Sequence, residues 1–163
     1  MIKRLIPVVF LLFLVTGCAP RQEIIQQPTA DYSGKYRPSQ YNVFYADGVN
    51  PDEWMKLYIK TKLEEYIIDK SWWGENRKDV RLSITITHIE TASRIATALS
   101  GPASPLVPPG QMEGQVTIYC EDKEVGKYNI SSSYRTFWLV AVFANLDDRI
   151  AGKFISQVMD VLR

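Results

Sequence analysis

Cysteine and histidine are nearly missing from this 163-residue chain, which has two of the first, Cys18 and Cys120, and one of the second, His88. A zinc-type centre draws three or four ligands from closely spaced Cys, His and acidic residues, and no CxxC or HxxxH spacing is present, so neither a metal nor a cofactor is expected. An excess of one charge is lacking too. The 19 basic and 18 acidic residues nearly cancel, and no basic stripe stands out. That argues against nucleic acid as a partner. Internal repeats are absent, and the longest apolar run, Leu5 to Val15, is about 11 residues, too short to span a bilayer as a mature helix.

What precedes and follows that run gives it a meaning. Met1-Ile2-Lys3-Arg4 is a short basic start, and the small residues Thr16 and Gly17 stand directly before Cys18, the layout of a cleaved secretory signal. Val15-Thr16-Gly17-Cys18 resembles the lipobox of bacterial lipoprotein precursors. The resemblance implies cleavage between Gly17 and Cys18, and diacylglycerol and palmitate-type acylation on Cys18. Ala19 follows, where retention in the inner membrane usually goes with aspartate, so the resemblance implies a periplasm-facing anchor in the outer membrane. Loss of Met1–Gly17 removes Lys3 and Arg4 and leaves a net charge of about −1. Cys120 is then the one remaining thiol, and an intrachain disulfide is not available.

Three segments are expected: a signal peptide at 1–17, a lipidated cysteine and polar tether at 18–38, and one periplasmic domain at 39–163. The tether "APRQEIIQQPTADYSGKYRP" carries Pro, Gly, Ser and Gln without sustained periodicity. In the domain, Tyr41–Tyr45 reads as a short strand turning at Asp47-Gly48. Val80, Leu82, Ile84 and Ile86 alternate with Arg81, Ser83, Thr85 and Thr87, the pattern of a strand with one solvated face. Met112–Cys120 and Val125–Ser133 read as a hairpin across the charged turn Glu121–Glu124.

Between the first two strands, Asn50 as N-cap, Pro51 at the first position and Asp52-Glu53 in the first turn announce a helix. Trp54, Leu57, Tyr58 and Thr61, joined by Leu63, Tyr66 and Ile67, are expected on the sheet, with Lys56, Lys60 and Glu64 wet. A second amphipathic helix, capped by Asn145 or Asp147, places Ile150, Phe154, Ile155, Val158 and Leu162 on one face. The fold class is therefore α+β, a largely antiparallel sheet of three to four strands with two helices packed on one face.

His88 continues the inward alternation of its strand and Cys120 ends that of its own, so a thiol and imidazole could meet. No orienting third residue or oxyanion device accompanies them, and the plainer reading is a strand-end histidine and a small buried hydrophobe, so no catalytic residue is assigned. Trp72 and Trp73 can stack on a ligand or close the core. Two stretches lack two-sided patterning, "RIATALSGPASPLVPPG" (94–110) and "TFWLVAVFAN" (136–145). Either they bury each other or they are exposed for a partner, with Leu106, Val107, Phe137, Trp138, Leu139 and Phe143 as the candidate interaction surface.

The Arg94–Gly110 loop, the hairpin "GQVTIYCEDKEVGKYNIS" and the closing helix resemble small bacterial lipoproteins built on a periplasmic α+β domain, over about Val80 to Arg163. The expected role is a non-enzymatic interaction or assembly component of the cell envelope, held on the membrane by its N-terminal lipid, whose partner is an envelope protein or another copy of itself. The alternative is a glycan- or lipid-binding module using Trp72, Trp73 and Trp138.

Overall fold

A computed structural model describes residues 21–26, 36–69, 73, 77–91, 109–134 and 145–162. Its elements are β1 (Arg21–Gln26), β2 (Tyr36–Tyr45), α1 (Glu53–Ile68), β3 (Lys78–Glu90), β4 (Gly110–Cys120), β5 (Lys123–Tyr134) and α2 (Leu146–Asp160). The class is α+β. One sheet runs in the order β1-β5-β4-β3-β2. The four expected strands are all present, and β1 adds a fifth from the stretch read as tether, pairing antiparallel with β5. The sheet is mixed, because β2 and β3 are parallel. A parallel pair needs a crossover rather than a tight turn, and α1 supplies it.

The hairpin closes more tightly than the charged run suggested. Only Glu121 and Asp122 stand outside the strands, both with positive φ (49° and 63°), and Cys120 pairs with Lys123. Two successive left-handed residues make the type I′ geometry whose twist suits a two-residue hairpin.

Helix α1 differs from expectation at its start and on its face. The N-cap is Asp52 rather than Asn50, its carboxylate accepting from the Met55 N–H at 2.7 Å, an interaction worth about 1 kcal/mol. Met55, Ile59 and Leu63 are the residues seated in the core, while Trp54 and Leu57, expected there, are 58% and 56% exposed. The helix carries two apolar stripes. The one that recurs every fourth residue is buried, and Trp54, Leu57, Thr61 and Ile68 form the other.

Helix α2 follows its pattern. Ile150, Phe154, Ile155, Val158 and Leu162 are buried, joined by Leu146, Ala151 and Met159. It lies on β4 and β5 and against α1. Together the helices cover the sheet face built from Leu82, Ile84, Ile86, Met112, Val116, Ile118, Tyr128 and Ile130. The opposite face carries mainly hydroxyl, amide and charged residues, with Phe44 of β2 among them. Among the described residues, no helix is long and apolar enough to cross a membrane.

Candidate functional site

The uncovered sheet face carries a shallow depression of about 500 Å³, lined by Thr87, Gln111, Glu113, Gly114, Asn129, Ile130 and Ser131. Alternation along β3, β4 and β5 turns polar side chains outward here, and the register brings them together. Glu113 pairs with Ser131 across β4 and β5, and His88 of β3 lies opposite Glu113. Glu113 accepts from the Ser131 hydroxyl at 3.2 Å and from the Gln111 amide, and Gln115 donates to Asn129 at 3.4 Å. Phe44 on β2, 52% exposed, lies in the row Phe44, Thr85, Gln115, Asn129.

A second feature runs along the flank of α1 and β2. The Tyr41 hydroxyl donates to Glu64 Oε1 at 3.1 Å, and Trp54 Nε1 donates to Asp148 Oδ1 at 3.0 Å, tying α1 to β2 and to the start of α2. Outside these ties the stripe Trp54, Leu57, Thr61, Ile68 faces away from the core, Ile68 at 75% exposure. Burial, the bond to Glu64 and the Glu64 charge all disfavour the phenolate and push Tyr41 up from 10.0 to about 12. Between those values the unfolded chain has lost the proton that the folded chain still holds, so stability falls as pH rises through that window. Tyr41→Phe is expected to flatten this fall in urea melts between about pH 10 and 12.

The thiol and imidazole whose meeting the strand alternation left open are far apart. A register shift between Ile86 and His88 breaks the inward alternation and turns the imidazole out to 51% exposure. His88 lies opposite Glu113, seven residues along β4 from Cys120, or about 24 Å at strand rise. Cys120 is buried, with its thiol 3.9 Å from the Asp79 carbonyl. A thiol–imidazole pair is therefore ruled out by geometry.

Trp73 takes the core role of its two readings. It is 5% exposed, its Nε1 donates to the Tyr66 carbonyl at 2.8 Å, and the Arg77 guanidinium lies 5.5 Å from its ring centre. Its indole thus closes the end of α1 rather than meeting a ligand. Gly17, Cys18, Trp72, Leu106, Val107, Phe137, Trp138, Leu139 and Phe143 lie outside the described residues. The sequence pattern alone assigns the exposed stripe of α1 to the core, and only packing shows it as a surface. The outward row was visible as the polar half of each alternating strand, but its assembly depended on register.

No protein-family profile and no curated protein matches the chain. Among solved structures it is similar to the PelC dodecamer from Paraburkholderia phytofirmans. Two crystal forms, one of a point variant, each give a TM-score of 0.45 and 11% identity over 88% of this chain and 95–96% of the PelC chain.

Proposed function

We propose that this chain is an outer-membrane lipoprotein, anchored through Cys18 with its domain in the periplasm, that acts as a non-enzymatic interaction or assembly component of the cell envelope. The lipobox supports the anchor. The observation that carries the interaction role is that α1 seats one apolar stripe in the core and leaves Trp54, Leu57 and Ile68 exposed on the other. Apolar side chains at that spacing on one helix face suit recognition by burial against another surface.

A photo-reactive residue in place of Leu57, activated in intact cells, should yield a discrete adduct. Leu57→Asp should leave the melting temperature of the domain unchanged, since the side chain is already exposed. It should reduce capture from a neighbouring photo-reactive site at Thr61 about tenfold, as expected for the loss of one central apolar contact. No adduct at Leu57, or unchanged capture in Leu57→Asp, would count against the reading.

A second reading, glycan binding, is favoured by the outer depression, where Glu113, Gln111, Asn129 and Ser131 offer hydrogen bonds near the exposed Phe44 ring. Soluble peptidoglycan fragments would perturb Asn129 and Ser131 amide resonances under this reading and leave them unmoved under the first.

A further inference from the structure

We infer that the outer edge of β2 pairs with the same edge of a second copy of this chain, through Tyr41–Tyr45 in antiparallel register about Val43, joining two domains into one continuous sheet. The inference rests on the interaction reading above and names its partner. β1 and β2 are the two ends of the sheet. An edge strand presents a row of unpaired N–H and C=O groups, and proteins guard such rows with charges, proline or irregular register.

One edge here is guarded, and half of the other is not. β1 carries Arg21 and Glu23 and a register shift between Ile24 and Gln26. The first half of β2 has Arg37, Pro38 and a shift between Pro38 and Gln40. Tyr41-Asn42-Val43-Phe44-Tyr45 has no charge, no proline and no shift, and its residues, Asn42 apart, favour strands. Among the described residues, nothing pairs with its outer side.

The backbone orientation can be read from one bond. Just past β2, the Ala46 N–H donates to the Ile86 carbonyl at 2.9 Å. Alternate residues of a parallel strand turn toward the same neighbour. Asn42 and Phe44 therefore bond inward to β3, and Tyr41, Val43 and Tyr45 hold their N–H and C=O groups toward the open edge.

That segment is also nearly symmetric about its centre. Placing Val43 against its own counterpart sets Tyr41 of each copy against Tyr45 of the other, with outward donors and acceptors matched at every pair. Tyr41, Val43 and Tyr45 stay on the helix side, and Asn42 faces Phe44 on the outer side. A slip of one residue would put apolar and polar faces on the wrong sides.

The test uses the full-length chain in isolated membranes. With Val43→Cys, oxidation should give a disulfide-linked species of twice the chain mass, because facing residues in a hydrogen-bonded antiparallel pair have Cα atoms about 5.5 Å apart, within disulfide reach. Asn42→Cys or Phe44→Cys alone should give little product, whereas the two co-expressed should cross-link. The unmodified chain, with its buried Cys120, sets the background. No product from Val43→Cys, or equal product at all three positions, overturns the pairing. Phe44→Lys should weaken self-association in detergent at least about tenfold while the melting temperature holds, and an undiminished dimer overturns it as well. If these tests fail while photo-reactive Leu57 still captures a different protein, the pairing is wrong and the interaction reading stands. If both fail, both fall.

Discussion

Valine in place of Gly114 is expected to leave little folded protein. A Cβ built on Gly114 would lie 2.8 Å from Phe154 Cζ and 2.8 Å from the Thr85 carbonyl oxygen, both closer than real Cβ contacts allow. The two neighbours differ in how they can yield. Phe154 is a buried ring on α2, and it could move only by lifting the helix from β4. The Thr85 oxygen belongs to β3, whose register with β4 holds the centre of the sheet, with Ile86 opposite Gly114. Overpacking of this kind usually costs about 1–3 kcal/mol, and a clash with backbone belongs at the upper end.

Gly114→Ala should therefore lose about 2–3 kcal/mol in urea denaturation, and Gly114→Val, with two more methyls in the same space, should lose more. Set against a stability of about 5–15 kcal/mol for an ordinary domain, that is a large share. Pairing Gly114→Ala with Phe154→Leu should recover part of the loss, measurable as a coupling energy, and leave the part due to the Thr85 oxygen. An unchanged midpoint for Gly114→Ala would mean that α2 does not press on β4 at this point.

The same glycine shows what could be read from the chain before its fold was known. The alternation of Met112, Gly114, Val116 and Ile118 places position 114 on the buried face, but only the packing of Phe154 and the Thr85 carbonyl around it explains why no side chain stands there. β3, β4, β5 and α2 were legible because each has one apolar and one polar side. Helix α1 was legible as a helix and not in its orientation. Trp54-Leu57-Thr61 and Met55-Ile59-Leu63 are both credible core stripes, and the choice was made by tertiary packing. His88 was misplaced because no residue type announces the irregularity after Ile86 that turns it outward. β1 was read as tether because "RQEIIQ" is polar enough for coil, and its pairing depends on a β5 edge more than 100 residues away in sequence. For the candidate site, the polar residues of the outer row were identifiable strand by strand, while their meeting at Glu113 required the register.

Cys18→Ala is expected to move the protein almost entirely from the membrane fraction to the soluble periplasmic fraction and to abolish labelling by radioactive palmitate. Each buried CH₂ contributes about 0.8 kcal/mol, one acyl chain of myristoyl length gives only marginal binding, and two or three together make desorption negligible on a cell's timescale. Nothing else in the described residues offers a comparable anchor, since the exposed apolar side chains of α1 are few and are interspersed with Lys60, Glu64 and Glu65. β1 adds a geometric consequence. Cys18 is three residues from Arg21, so a lipid on it, as proposed, would be tethered to the first residue of that edge strand by at most the roughly 10–11 Å that three residues can span. β2 lies four strand spacings across the sheet, about 19 Å further on. If Cys18 carries the proposed lipid, the edge nearest the anchor and the β2 edge, unpaired among the described residues, are opposite ends of one sheet. Two copies joined at β2 would carry their anchors at the two far ends, so both can reach one bilayer only if the joined sheet runs along the membrane surface. Retention of Cys18→Ala on membranes with the label still incorporated would remove the anchor from this cysteine and that constraint with it.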